Sequence, residues 1–546
     1  MPQKFLQIHP KDNVLVALTK LNKGDTITWA GRPLQLVDDI PAKHKLAITP
    51  LQAGDPVFMY GVLVGKAQQS IPAGGCITTE NLKHAAEPFD YHGVQFSWEK
   101  PDVSRFVHRT FNGYHRSDGR VGTANYWLFI PTVFCENRNL DVIREALVNE
   151  LGYGVTDKYK RFTRQLAEAV MSGHSADSIE LSLGQPAQHR VFEHVDGIKF
   201  LNHDGGCGGI RQDSAILGKL LAAYANHPNV GGITLLSLGC QHLQTNDFLA
   251  EIKAQYPGFD KPLYVFEQQQ AGKETDLISA AIRKTFEGLQ LINQQERKPA
   301  GLDKLCVGVK CGGSDGFSGI SANPAVGYCA DLMVGLGAKI LLAEFPELCG
   351  AEQELIDRSV DEKTARKFIH LMRSYEAQAK MVGSGFDMNP SPGNIRDGLI
   401  TDAMKSAGAA KKGGTSPVVE AVGYGGYAHK SGGLTLVCTP GSDVQATTGM
   451  GGAGATIQLF TTGLGTATGN PITPMVKLST NNTLTERIHD IIDINCGGII
   501  TGEKTVEQSG EEILDYVIDL ASGKYDTKAM ILGQDDFIFW KRGVAL

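Results

Sequence analysis

No apolar run in this 546-residue chain reaches the roughly 18 residues that a membrane-crossing helix needs. Contact with a membrane is therefore not expected. Positive charge is also scarce: 52 Lys and Arg stand against 59 Asp and Glu, a formal charge of −7. That balance supplies no cationic footprint for nucleic acid and no basic belt for an anionic membrane surface. The ten cysteines contain no CxxC pair, which speaks against a zinc-finger-like structural site. The opening MPQKFLQIHPKDN has neither an apolar stretch nor a small-residue cleavage site, so no secretion signal is expected. Thiols in such a chain are expected to stay reduced in the cytoplasm, free to bind metal.

Glycine, by contrast, is abundant: 64 residues, well above the roughly 7% of an average protein. No collagen repeat accounts for it, so the excess points to tight turns and close backbone approach. Residues 1–85 read as a small β-rich domain of short strands such as VLVALTKL, TITWAG and VFMYGVLVGKA, separated by glycine turns. Residues 86–105 read as a linker. From 106 onward, short apolar runs such as YWLFIPTVF, VGGITLLSLG and KLCVGVKC alternate with helix-like stretches. That alternation predicts an α/β fold with largely parallel sheets. The expected division is a second domain over 106–273, a helical connection over 274–300 and a C-terminal α/β domain over 301–546.

In such sheets, ligands bind beyond the carboxyl ends of the strands. Cys135, Cys207, Cys240 and Cys311 all fall there, several of them beside glycine. A single cysteine in that position is ordinarily a small buried hydrophobe. A set suggests either an iron–sulfur cluster on dispersed thiolates or one divalent iron with mixed ligands. His203, His242, Glu344 and Glu347 are further candidate ligands near strand ends. Two glycine-rich loops read as sites for a carboxylate or hydroxyls. CGGSDGFSGISANP (311–324) offers Ser314 and Ser318, and TTGLGTATGNP (461–471) offers Thr461, Thr462 and Thr466. Neither loop carries a nucleotide fingerprint. His9 with Asp12, and His44 with Lys45, are the proton-moving side chains that the small β domain could deliver to a cleft.

HPKDNVLVAL and HKLAITPL resemble the SAF-type domain that opens altronate and galactarate dehydratases. RSDGRVGTANYWLFIPTVFC, LSLGCQ, KCGGSDGFSGISANPAVG, NPSPGN and LFTTGLGT resemble successive motifs of the large body of that family. The resemblance implies loss of water from a small-molecule sugar acid, with dependence on ferrous iron, mononuclear or within an iron–sulfur cluster. FPELCGAEQELIDR (345–358) and EQQQ (267–270) resemble the altronate branch, whose product would be 2-dehydro-3-deoxy-D-gluconate. NPAVGY (323–328) and DINCGG lean towards the galactarate branch. A galactarate dehydratase, or a related β-eliminating lyase, is the alternative enzyme. A non-catalytic sugar-acid or metal-binding protein is the alternative from another class. On the enzyme reading, His44 or Lys45 is the base at C2 and His9 assists as acid. Cys207, Cys240 and Cys311 hold iron, with Cys135 as the fourth candidate, and Ser314, Asp315, Asn323 and Asn394 orient the polyol. A homodimer is the expected assembly.

Overall fold

The computed structural model describes residues 3–155, 157–182 and 189–545; the expected domain ends at 1 and 546 lie outside them. The chain divides into two compact units. One takes the residues up to 112, 299–468 and 473–528, and the other takes 113–298, 469–472 and 529 onward. Among the described residues, no helix is long and apolar enough to cross a membrane.

In the first unit, the opening 85 residues are β-rich, as the short strand-like runs between glycine turns predict. Val14–Ala17 pairs antiparallel with Phe5–Leu6 on one side and Lys45–Ala47 on the other, and Lys45–Ala47 pairs in turn with Cys76–Ile77. Pro56–Met59, Val62–Ala67 and Leu82–Lys83 form a second antiparallel sheet. Val14, Val16, Val57 and Val64 are buried in a core that also takes Phe317, Ile320, Ile400, Ala403 and Met404. The small β domain thus shares an apolar core with the body of its unit. Burial of that shared surface, the main driving force of association, fixes the loop at 43–45.

The body of this unit is a seven-stranded parallel sheet in the spatial order Val418–Val422, Gly433–Val437, Lys339–Leu342, Cys306–Cys311, Ile457–Thr462, Met475–Ser479 and Ile494–Asn495. Strands covered on both faces are buried along their whole length, as Gly433–Val437 and Ile457–Thr462 are, polar Thr435 and Gln458 included. From the central strand, 306–311, the chain moves first to one side (339–342) and later to the other (457–462). Such a reversal is the switch point at which α/β sheets take their ligands. Both glycine-rich loops, 311–324 and 461–471, leave from this pair of strands.

The second unit is built on four parallel strands in the order Gly197–Phe200, Tyr126–Pro131, Val230–Ser237 and Leu263–Glu267. The helix Glu274–Ile292, inside the stretch expected to connect domains, buries Leu277, Ala281, Leu289 and Ile292 and joins the core of this unit. Trp127 organises that core. Its ring lies where a Cβ on Gly232 or Gly288 would stand, 2.2 and 2.0 Å from ring carbons. Its Nε1 donates to Thr234 Oγ1 at 3.0 Å. Both glycines are therefore space for an indole. Trp127→Ala is expected to cost about 3–5 kcal/mol, read as a lowered urea midpoint; a midpoint unchanged from wild type would refute this role.

Candidate active site

The central strand ends on Lys310 and Cys311, both buried. A charge inside a parallel sheet must be paired, because isolated burial is far too costly. Lys310 Nζ donates to Glu344 Oε1 at 2.6 Å, to Asp443 Oδ1 at 2.6 Å and to the Cys311 carbonyl at 2.8 Å. Glu344 follows the 339–342 strand and Asp443 lies beyond the 433–437 strand. Three adjacent strand ends are thereby tied by one ammonium. Glu344 adopts a left-handed backbone, φ 70°, a conformation that costs on the order of 1–3 kcal/mol outside glycine and gathers at functional sites.

Two more lysines complete the cluster. Lys405 Nζ donates to Glu347 Oε1 at 2.7 Å and to Asn389 Oδ1 at 2.8 Å. Lys412 Nζ lies 3.2 Å from Cys311 Sγ and 3.4 Å from Glu344 Oε2. The Cys311 thiol in turn donates to Glu347 Oε2 at 3.5 Å. An ammonium carries three N–H donors, so Lys405 and Lys412 each keep one beyond these contacts. Burial opposes charge on both, but Glu347 beside Lys405, and Cys311 with Glu344 beside Lys412, raise their pKa values. Burial, then the neighbouring Glu347, pushes Glu344 up. Burial also works against charge on Glu347, but Lys405 and its neighbours hold it below the usual carboxylate range.

Cys311 Sγ and one oxygen each of Glu344 and Glu347 lie within 4.8 Å of one another, a donor set that could hold a metal ion. One sulfur and two carboxylates suit a borderline divalent cation. Burial keeps the thiol at a pKa of about 11 against the pull of Lys412, so a cation binding here takes the thiol proton's place.

The 311–324 loop continues from this cluster to the small β domain. Ser314 Oγ is buried with no hydrogen-bond partner, an orphan that a ligand hydroxyl would satisfy. Asp315 is saturated. Its oxygens accept from Ser318 Oγ, Thr480 Oγ1, Asn481 Nδ2 and the Phe317 amide, and Lys43 Nζ stands 3.0 Å from Oδ2. Lys43 also reaches Asp397 at 2.7 Å. The Lys45 ammonium group is fully buried and donates to the Lys43 and Gly398 carbonyls at 3.0 and 2.6 Å; burial brings its pKa down to about 7. His44 Nε2 lies 3.1 Å from the Arg396 carbonyl. A carbonyl only accepts, so that nitrogen carries the proton and Nδ1 keeps its lone pair. Burial lowers the His44 pKa, against the Arg396 bond, which raises it.

Lys43 fits this tightly because two glycines make room. A Cβ on Gly316 or Gly398 would stand 2.5 or 2.4 Å from the Lys43 carbonyl oxygen, and Gly398 has φ +92°. Gly398→Ala is expected to free the 43–45 loop, seen as faster amide exchange there and a stability loss of at least about 1–3 kcal/mol. Wild-type exchange in that loop would argue against this docking.

The remaining expected residues divide clearly. Asn323 spends its amide on the Gly408 carbonyl and on Thr461 Oγ1. Asn394 closes a capping box with Ser391 and donates to the Ser314 carbonyl. Ser318 bonds Asp315, and Thr462 Oγ1 accepts from the Gly465 amide. These side chains hold the loops in shape. His9 packs over Gly61, and its Nδ1 accepts from the Lys11 amide. The four-thiol set is partitioned: Cys311 belongs to the first unit, whereas Cys135, Cys207 and Cys240 belong to the second. His203 is buried and neutral, its pKa lowered to about 4 by burial; both ring nitrogens are bonded, to the Pro131 carbonyl and the Gly205 amide.

Three family descriptions match the chain in succession. Residues 3–85 match the altronate/galactarate dehydratase SAF domain. Residues 113–293 match the second domain of D-galactarate dehydratase/altronate hydrolase, and residues 302–545 the C-terminal domain of D-galactarate/altronate dehydratase. An altronate dehydratase of Bacillus subtilis is 31% identical over 523 residues, 96% of each chain. The chain belongs to the altronate/galactarate dehydratase family. An altronate dehydratase of Escherichia coli is equally similar, 31% over 95% of this chain and 96% of its own. A galactarate dehydratase (L-threo-forming) of the same organism is 31% identical over 96% of this chain and 94% of its own. The enzyme is therefore a hydro-lyase, as its sequence motifs imply. The expected β-rich opening and parallel α/β body are those of the family member described above.

Proposed function

We propose that this hydro-lyase removes water from D-altronate, giving 2-dehydro-3-deoxy-D-gluconate. The observation that carries the reading is the convergence of Lys310, Lys405 and Lys412 with Cys311, Glu344 and Glu347 at the switch point of the large sheet. Loss of water from a sugar acid begins with the C2 proton, next to a carboxylate. The enediolate formed there carries extra negative charge, which preorganised donors stabilise far better than water does. The unspent N–H groups of Lys405 and Lys412 are such donors, and the Ser314 hydroxyl is free to bond the polyol.

His44 is the proposed base. Its Nδ1 lone pair takes the C2 proton, the C2 electrons form the new double bond, and the C3–O bond breaks. His9, whose bonded Nδ1 leaves the proton on Nε2, is the proposed donor to the departing hydroxyl. The enol product then ketonises. Ferrous iron is the proposed metal at Cys311, Glu344 and Glu347, supplying when bound a Lewis acid for the developing charge. The ten free cysteines agree with a reducing, cytoplasmic setting.

The test is an anaerobic incubation with Fe²⁺ and a panel of hexonates and hexarates, following 2-keto acid. D-Altronate is expected to exceed galactarate at least tenfold in kcat/KM, about 1.4 kcal/mol of discrimination. Preference for galactarate would move the enzyme to the other branch, and absence of keto acid from every substrate would reject dehydration.

A further inference from the structure

The second unit carries a cavity of about 320 Å³, at the small end of the roughly 300–1,000 Å³ that ligand pockets occupy. Gly231 and Pro262 place it at the amino ends of the strands Val230–Ser237 and Leu263–Glu267. That is the edge opposite to the one where α/β sheets take their substrates. Three cationic side chains line it, Arg116, Arg120 and Lys261, and they converge on four consecutive carbonyls. Lys261 Nζ donates to the Ala225 and His227 carbonyls at 3.0 and 2.7 Å. Arg120 donates to the Asn226 carbonyl at 2.6 Å, and Arg116 Nε to the Pro228 carbonyl at 2.7 Å.

These carbonyls close the helix Arg211–Asn226, whose negative end suits a cation but amounts to only about half an elementary charge. The acids lining the cavity are Asp118 and Asp260, and Asp118 accepts from Arg120 Nε at 2.8 Å. Burial lowers the pKa of Lys261 well below the usual lysine value. Arg116 and Arg120 lower it further, ahead of the opposing pull of Asp118 and Asp260. Positive charge is therefore in excess around that ammonium. Donors are left over as well. A guanidinium offers five N–H groups and an ammonium three. Arg116 gives its donors to Pro228, Gln295, Asn125 and Ala124, and Lys261 gives its own to two carbonyls, so each keeps one. Arg120 lies over the Tyr256 ring, 3.7 Å from its centroid, a contact that restrains its guanidinium at the cavity wall.

We infer that this cavity binds the phosphate group of a small metabolite, its terminal oxygens taken by Arg116, Arg120 and Lys261. A phosphate brings three acceptor oxygens and a charge of about −1.5 to −2 at pH 7. It matches three cationic side chains better than a carboxylate, with two oxygens, does. The site lies apart from the Cys311–Glu344–Glu347 set, which belongs to the other unit, and its test needs no turnover of any sugar acid. The full chain, without added iron, is titrated calorimetrically with inorganic phosphate and, separately, with sodium acetate at fixed ionic strength. Wild type is expected to bind one phosphate per chain, and acetate at least tenfold more weakly. Lys261→Gln is expected to weaken phosphate binding at least about tenfold. Asp118→Asn keeps an oxygen for the Arg120 amide but removes a negative charge beside the anion, so it is expected to tighten binding at least about threefold. Cations that served only to cap the helix would not give that gain, so the inference stays open to refutation if Lys261→Gln fails to fold. Lys412→Met is expected to bind phosphate as wild type does. Absence of phosphate binding in wild type, acetate bound as tightly, unchanged affinity in Lys261→Gln, no gain in Asp118→Asn, or loss of binding in Lys412→Met would each overturn it.

Discussion

Lys412→Met is expected to lower kcat by about 10²–10³, the range found when one preorganised donor to a developing anion is removed. The side chain is buried and its ammonium lies against Cys311 and Glu344. Methionine nearly conserves the volume, so packing is kept while the charge and the unspent N–H are lost. Stripping one partner from a buried pair ordinarily costs about 3–5 kcal/mol. Here the cost is expected at or below the lower end, because Glu344 retains Lys310 at 2.6 Å. The two effects separate in measurement: a folded variant, judged by its urea midpoint, with kcat reduced and KM for D-altronate changed less. Wild-type kcat in that variant would remove Lys412 from the transition state. Glu347→Gln probes the opposite sign at the same place. It leaves Lys405 bonded to Asn389 but takes one carboxylate from the metal donor set, so the affinity for added Fe²⁺ is expected to fall at least tenfold in equilibrium dialysis. Unchanged affinity would place the metal elsewhere.

The fold was legible because its signals are local. Short apolar runs bounded by glycine are what buried parallel strands require, and short strand-like runs parted by glycine turns are what the antiparallel opening domain requires. The glycine-rich loops could be placed at strand ends for the same reason. The division into units was less accessible, because a few residues at 469–472 and the tail beyond 529 join the second unit, and no local pattern records that return.

Cys311, Glu344 and Glu347 stand among the candidate ligands that strand ends suggest, whereas Cys135, Cys207 and Cys240 lie in the other unit and the cationic side of the site was hidden. Lys310 had a usable signal: a cation inside the apolar run CVGVKC has to be paired if that run is a buried strand. Lys405 and Lys412 had none, since a lysine in DAMKSAGAA or AKKGG reads as an exposed residue until the chain folds over it. Lys43, next to His44 and Lys45, carries no local mark of its role either. Its ion pairs reach Asp315 and Asp397, partners more than 270 positions away, which only packing of the small β domain brings close. Conversely, Asp315, Asn323 and Asn394 have the chemistry of polyol ligands, but spend their polar atoms inside the protein. Residue type tells what a group can bond; only the folded neighbourhood tells what it has left over.

His44→Gln is expected to lower kcat by about 10²–10⁴, the usual contribution of a positioned general base, and to change the shape of the pH profile. The sign follows from the proposed role. A base works when neutral, and burial lowers the pKa of His44 below 6.5. Wild-type kcat/KM is therefore expected to be flat near neutrality and to fall on the acid side, as His44 gains a proton below that value. Lys45 offers the competing pattern. With a pKa of about 7, a Lys45 base would make activity begin to fall already at neutral pH. The geometry favours His44, because the buried Lys45 ammonium group is committed to two backbone carbonyls while His44 keeps Nδ1 free of its Arg396 contact. Glutamine preserves a donor towards the Arg396 carbonyl, so the loop is expected to stay docked, which amide exchange across 43–45 can verify. Loss of the acid limb in His44→Gln, with the loop still protected, assigns the proton transfer to His44. Persistence of the same limb in that variant transfers the assignment to another group.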